Sequence, residues 1–350
     1  MTTKTADGSL LSDDGAFLYF STERFIRDIC NGSCCFICGS SPNLKQFNNE
    51  HVLPRWLLKK YQLFERSIAL PNGTNFRYRS YTVPCCRECN TMMGRDIEEP
   101  IRRILNGSLE SLIEHIEREG VRLLFIWLCL IFIKTHLKSR TLPVERDRRK
   151  ESSLIGDQYD WTLLHHIHCV ARSFYTRASI DQNVFGSLLI FQAKTGSSYE
   201  PFDYYDIYGA NSILVRVGNF SLVSVLDDAG GSLDMFRNHI DIINGPLSPI
   251  QLREILAHLS YINLHIKERP AFFTELRKPP RIRARVPVVE LDDLDKAHRG
   301  QLLDACCGPM LENFTNSNIE EVKLHLLQGT HTFLRNEYGD FDARSMEPIE

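Results

Sequence analysis

Two short cysteine runs, Cys34-Cys35-Phe36-Ile37-Cys38 and Cys85-Cys86-Arg87-Glu88-Cys89, constrain this chain more than any other feature. Each holds a Cys-x2-Cys pair, and two such pairs supply the four thiolates of a closed tetrahedral zinc site. Cys35, Cys38, Cys86 and Cys89 are therefore the expected ligands of a structural Zn²⁺. The spacings Cys34/Cys38 and Cys85/Cys89 are also admissible, so the register stays open. The chain has 11 cysteines, an odd number. Its N-terminus, MTTKTADGSLLSDDG, is polar and acidic and lacks the apolar stretch of a signal peptide, so a cytoplasmic location is expected. In a reducing compartment, clustered cysteine pairs point to metal before disulfides. A metal site of this kind supplies folding energy to a unit too small to bury much apolar surface.

Between the two runs lies Glu50-His51, and directly after the last cysteine lies Asn90. A carboxylate, an imidazole and an amide are thus tied to one metal-stapled frame. A metal-dependent phosphodiesterase needs this set. Carboxylate and amide oxygens are hard ligands for Mg²⁺ or Mn²⁺. A neighbouring imidazole takes the proton of the attacking water, and the cation neutralises the phosphorane and the leaving 3′ oxygen.

On Cys35-x2-Cys38, Glu50-His51-Val52-x-Pro54 and Cys86-x2-Cys89-Asn90, with Glu98-Glu99 following, the segment from about 30 to 100 resembles the zinc-stapled form of the HNH endonucleases. The resemblance implies a ββα-metal fold, with Glu50 and His51 on a β-hairpin and Asn90 on the helix packed across it. It implies that His51 is the general base and that Glu50 and Asn90 bind the catalytic cation. Arg55, just after Pro54, is placed to hold a phosphate. DNA is the implied substrate ahead of RNA, and a restriction or defence effector the implied role. One position departs from the pattern: Tyr81 stands where the family has its middle Asn, with Asn72 and Asn75 upstream as substitutes.

The expected fold class is α+β. Residues 1–25 read as a loose tail, 26–100 as the nuclease domain, 101–150 as a helical extension and linker, and 151–350 as a C-terminal α+β region of unassigned role. Pro100 suits a first helical turn, Ser108 caps a helix ending near Gly120, and a third helix runs from about Val121 to Ser139. Its eleven-residue apolar run, Leu123 to Ile133, is too short to span a membrane and reads as buried. Gly218-Asn219 between ILVRV and FSLVSVL signals a hairpin in an antiparallel sheet, and Ser248-Pro249 opens another helix. The last 60 residues read as mainly helical.

With 41 Lys plus Arg against 44 Asp plus Glu, the net charge of -3 advertises no polyanion partner. A nucleic-acid surface must then come from a local patch, and residues 277–285 (RKPPRIRAR) and Arg146–Lys150 are the basic stretches. His165, His166, His168 and Cys169 read as partly exposed helix residues rather than a second metal site. Cys306-Cys307 read as buried or incidental thiols, Met92-Met93 as packing and Trp56 as core. Two other functions fit the same motifs: a non-catalytic zinc module that binds nucleic acid or a protein, and a nuclease silent until an activating protein or ligand engages the C-terminal region.

Overall fold

The computed structural model describes residues 2–344 except 71–72, 146, 148, 151, 294 and 312–318. Helices and sheets are both present, so the α+β class holds. The chain divides into two compact units, Met1–Val184 with Phe272–Ala284, and Phe185–Ala271 with Arg285–Glu350. The division thus falls at 184/185 rather than near 150, and a later segment returns to the first unit.

The first unit opens with β1 (Thr2–Lys4), β2 (Leu10–Ser12) and β3 (Phe17–Tyr19), an antiparallel meander. The expected loose tail is therefore ordered. Leu10 and, just past β3, Phe20 are buried, and Asp7 ties the segment to Arg24 at 2.6 Å. After α1 (Thr22–Arg24) and a π-helical stretch (Phe25–Cys30) comes the first cysteine run. Then follow β4 (Phe47–His51), α2 (Arg55–Lys60), β5 (Ser67–Ala69), β6 (Asn75–Arg77) and β7 (Thr82–Cys86). β4 and β7 pair antiparallel with Glu50 opposite Val83, and α3 (Arg87–Met93) leaves directly from the end of β7.

Five further helices and a short strand follow in this stretch of the first unit: α4 (Glu99–Leu105), α5 (Leu109–Glu119), α6 (Arg122–Ser139), α7 (Thr162–Ala171) and the short α8 (Ser173–Thr176), then β8 (Ser179–Ile180). Pro100 sits in the first turn of α4, and Ser108 caps α5 through the Ser111 N–H, as their side chains dictate. α6 is apolar on every face and is buried along nearly its whole length. Among the described residues no single helix is long and apolar enough to cross a membrane; α5 and α6 pass that test only together, bent by 106°. Two more strands of this unit, Ala271–Glu275 and Arg281–Arg285, arrive from far downstream, the latter pairing parallel with β8.

The second unit is built on an antiparallel sheet of β9 (Leu188–Gln192), β10 (Phe202–Ile207), β11 (Ser212–Val217) and β12 (Phe220–Val225), in the order β10-β11-β12-β9. The β11–β12 hairpin turns at Gly218-Asn219, as expected, with Gly218 at a φ of 65°. α9 (Gly231–Ile240) precedes α10 (Pro249–Leu264), which Ser248 and Gln251 cap reciprocally. Leu252, Ile255, Leu256 and Leu259 of α10 pack on Leu214, Val223 and Val225 of the sheet. Ile250 and Ala257 of the same helix pack on α11 (Lys296–Leu311) and α12 (Ile319–Leu327). Cys306 and Cys307 lie inside that second cluster, which gives them a packing role.

Candidate metal centre

The register of the cysteines is settled by where the thiols point. The sulfurs of Cys35, Cys38, Cys86 and Cys89 all lie within 4.8 Å of one another, and all four residues are buried. A tetrahedral site with Zn–S bonds of about 2.3 Å has sulfur–sulfur edges of about 3.8 Å; Cys38 and Cys86 stand 3.7 Å apart. Four thiols converging in this way fit a structural metal such as zinc. Hydrogen bonds from Cys35 and Cys89 pull Cys38 below the ordinary thiol range, while contacts among the four sulfurs push Cys35, Cys86 and Cys89 above it. Cys34 is partly exposed and lies outside the cluster. Cys85 is buried too. Its sulfur stands 3.8 Å from that of Cys35, yet it is not among the four mutually close sulfurs.

α7 braces the first cysteine run. His168 Nε2 donates to the Phe36 carbonyl at 2.6 Å, and Arg172 Nε donates to the Ile37 carbonyl at 2.5 Å. Of the helix histidines read as partly exposed, His165 and His166 are, while His168 is fully buried; His165 Nε2 donates to the Phe20 carbonyl at 2.9 Å, and His166 stacks on Phe272 at 3.6 Å. They belong to packing between α7 and its neighbours, because an imidazole can bury its ring and still satisfy a carbonyl.

The expected catalytic residues Glu50, His51 and Asn90 lie on the β4–β7–α3 frame. His51 ends β4, half-buried, with its ring edge-on to Phe64 at 6.1 Å and hydrogen-bonded to the Arg79 main chain. Burial holds its pKa below the ordinary histidine value; the Glu50 charge opposes that shift, while Arg55 and Lys134 add to it. Asn90 lies on α3, where its Nδ2 donates to Asn48 Oδ1 at 2.8 Å. Arg55 begins α2, exposed and without an ion-pair partner among the described residues. Trp56 is half-buried beside it. Tyr81, at the family's middle-Asn position, is buried and its carbonyl accepts from the Val52 N–H at 3.0 Å, just past His51. Asn75 starts β6, and Asn72 lies outside the described residues.

Glu50 points the other way, into the core. Its Oε1 accepts from Lys134 Nζ at 2.8 Å. The same ammonium donates to the His51 carbonyl at 2.9 Å and stands 3.6 Å from Glu98 Oε1. Burial opposes the charge on Lys134, but Glu50 and then Glu98 outweigh it and hold the lysine above its ordinary pKa. Burial pushes Glu98 up to about 7, with Lys134 opposing and Glu50 adding to the shift. A divalent cation at Glu50 does not fit this arrangement, because the carboxylate is buried and already carries an ammonium. Apart from the four cysteines, the described residues form no other cluster of three His, Cys, Asp or Glu ligands. Lys134 and Glu98 were not legible as site residues. Lys134 directly follows the apolar run Leu123 to Ile133, and a helix continuing to Ser139 places it inside, where a lysine needs an acid.

The basic stretch 277–285 is largely neutralised. Arg281 and Arg283 pair with Asp181 at 2.6 and 3.2 Å, Arg283 also with Glu275 at 2.6 Å, and Lys278 with Asp13 at 3.0 Å. Of the Arg146–Lys150 cluster, Arg146 and Arg148 lie outside the described residues, while Arg149 pairs with Asp147 at 2.8 Å and Lys150 with Glu145 at 3.4 Å. No family model, curated protein or solved structure matches this chain.

Proposed function

We propose that the first unit is a phosphodiester hydrolase of the HNH kind that cuts nucleic acid, DNA ahead of RNA, with His51 as its general base. The observation that carries this reading is the placement of His51. It ends β4, which pairs with β7 beside the helix that carries Cys89 of the four-thiol cluster, half-buried, oriented by the Arg79 main chain, and held below its ordinary pKa. A neutral imidazole at neutral pH can accept the proton of a water molecule lined up behind a phosphate. Arg55, exposed and unpaired one short turn later, supplies a guanidinium that matches a phosphate's oxygens. Asn90 adds a polar amide on the helix. A bound divalent cation would contribute charge neutralisation at the phosphate; the residues present do not fit one at Glu50. On this reading the protein works in the cytoplasm as a restriction or defence effector, and the second unit supplies its trigger.

The alternative is a zinc module without catalysis. The commitment of Glu50 to Lys134 favours it.

Nicking of supercoiled plasmid separates the two. We expect wild type to nick with Mg²⁺ or Mn²⁺ but not with EDTA, and His51→Ala to lose about 10²- to 10⁴-fold while keeping its fold and its metal. Because only neutral His51 is a base and its pKa is depressed, the rate rises with pH to a plateau, with a midpoint below 6.5. Equal nicking by both proteins overturns the assignment of His51. No nicking by wild type under any of these conditions favours the binding module.

A further inference from the structure

We propose that Lys134 is a positioning residue that locks the end of β4, and that Glu50 serves as its counter-ion rather than as a cation ligand. The part of this inference that concerns the base rests on the nuclease reading; the part that concerns the ion pair does not. An ammonium has three hydrogens to donate. Around Lys134 Nζ stand three acceptors: Glu50 Oε1 at 2.8 Å, the His51 carbonyl at 2.9 Å and Glu98 Oε1 at 3.6 Å. The lysine side chain is 1% exposed.

The geometry explains why a lysine belongs there. Strand pleating sends the side chains of Glu50 and His51 to opposite faces. Lys134 grips the inward side chain of one and the main chain of the other from behind, and so fixes the direction in which the His51 ring leaves the strand. A buried ammonium is stable only beside compensating acid, and Glu50 provides it at the shortest distance. A carboxylate used this way is not free to bind a divalent ion on the same oxygen.

A double-mutant cycle in the full chain tests this: Glu50→Gln, Lys134→Met, the two combined, and Lys134→Arg. Thermal unfolding, zinc content and nicking kinetics are read at a temperature well below the lowest unfolding midpoint. We expect each single neutral variant to unfold earlier and to lose tenfold or more in kcat with KM little changed. The combined variant regains much of the stability, because neither charge of the pair is left without the other, and is no slower than Lys134→Met alone, because Glu50 acts only through the lysine; Lys134→Arg retains part of the rate. If the combined variant is as slow as the product of the two singles, Glu50 acts independently of Lys134 and the inference fails. If wild type does not nick at all, the nuclease reading fails instead, and the unfolding midpoints still decide the pair: additive losses overturn it, and recovery in the combined variant sustains it.

Discussion

Arg172 donates its Nε–H to the carbonyl of Ile37 at 2.5 Å, across 135 positions of chain. Its Nη2 reaches the Phe17 carbonyl at 2.7 Å, and the guanidinium lies over the Phe20 ring at 4.0 Å. The residue is buried and has no carboxylate partner among the described residues; burial pulls its pKa down to about 10. The compensating charge comes from backbone dipoles and from the cysteine sulfurs. A zinc bound by four thiolates is a net dianion, so this cation and that site support each other. Arg172→Met is expected to cost about 3 kcal/mol, the order found for charged hydrogen bonds lost in a core, and to speed the transfer of zinc to a chelator. Arg172→Lys is expected to rescue little, since a point charge cannot serve two carbonyls in fork geometry. Urea unfolding and a colorimetric chelator assay check both.

The cysteine register makes a contrast within one pair of neighbours. Cys38→Ser removes a ligand from the cluster, and Cys34→Ser removes a thiol outside it. One equivalent of zinc per chain is expected for wild type and for Cys34→Ser, and far less for Cys38→Ser, with early unfolding of the first unit. Elemental analysis alongside thermal denaturation reads the difference. Equal zinc in the two variants would contradict the assignment.

Glu98 should leave a pH signature. Its folded pKa, about 7, lies above the ordinary glutamate value of 4.5. A carboxyl raised on folding contributes its full share of stability below the unfolded pKa and loses it as pH rises through the folded one. Wild type should therefore weaken relative to Glu98→Gln between pH 5 and pH 8, by a few kcal/mol at most. Paired urea titrations at the two pH values give this difference, and a flat difference would mean that the carboxyl is not shifted.

In the second unit, Gly300 is where α11 meets the end of α12. A Cβ there would stand 1.9 Å from the Leu327 carbonyl oxygen and 3.0 Å from the Gly329 nitrogen, both main chain. Alanine favours helix over glycine by about 1 kcal/mol, but main chain cannot step aside as a side chain can. Gly300→Ala is thus expected to be net destabilising by about 1–3 kcal/mol, with zinc content unchanged. A raised unfolding midpoint would show that the two helices part without cost.

Legibility in the sequence followed the range of the forces involved. The helices capped by Ser108 and Ser248, and the hairpin at Gly218-Asn219, are where local chemistry places them, because caps and turns are decided within a few residues. The four-thiol site was visible for the same reason. Which of two adjacent cysteines takes part was not, since that depends on the face of β7 turned toward the first run. The N-terminal meander was hidden by its polarity, being held by a few buried groups such as Leu10 and Phe20. The Lys134–Glu50 pair joins residues 84 positions apart and could not be read from either neighbourhood. The same holds for the return of Phe272–Ala284 to the first unit.

That return has a consequence for how the protein is made. The ribosome releases the strand Arg281–Arg285, which lies beside β8, only after the whole four-stranded sheet and the long helix α10 have emerged. The second unit in turn waits for α11 and α12, which follow that strand. Neither unit is a contiguous stretch of gene. A message ending at Val184 would encode the first unit without its last strands, and no single crossover could hand either unit intact to another protein. Whatever the two units do, they are inherited as a pair.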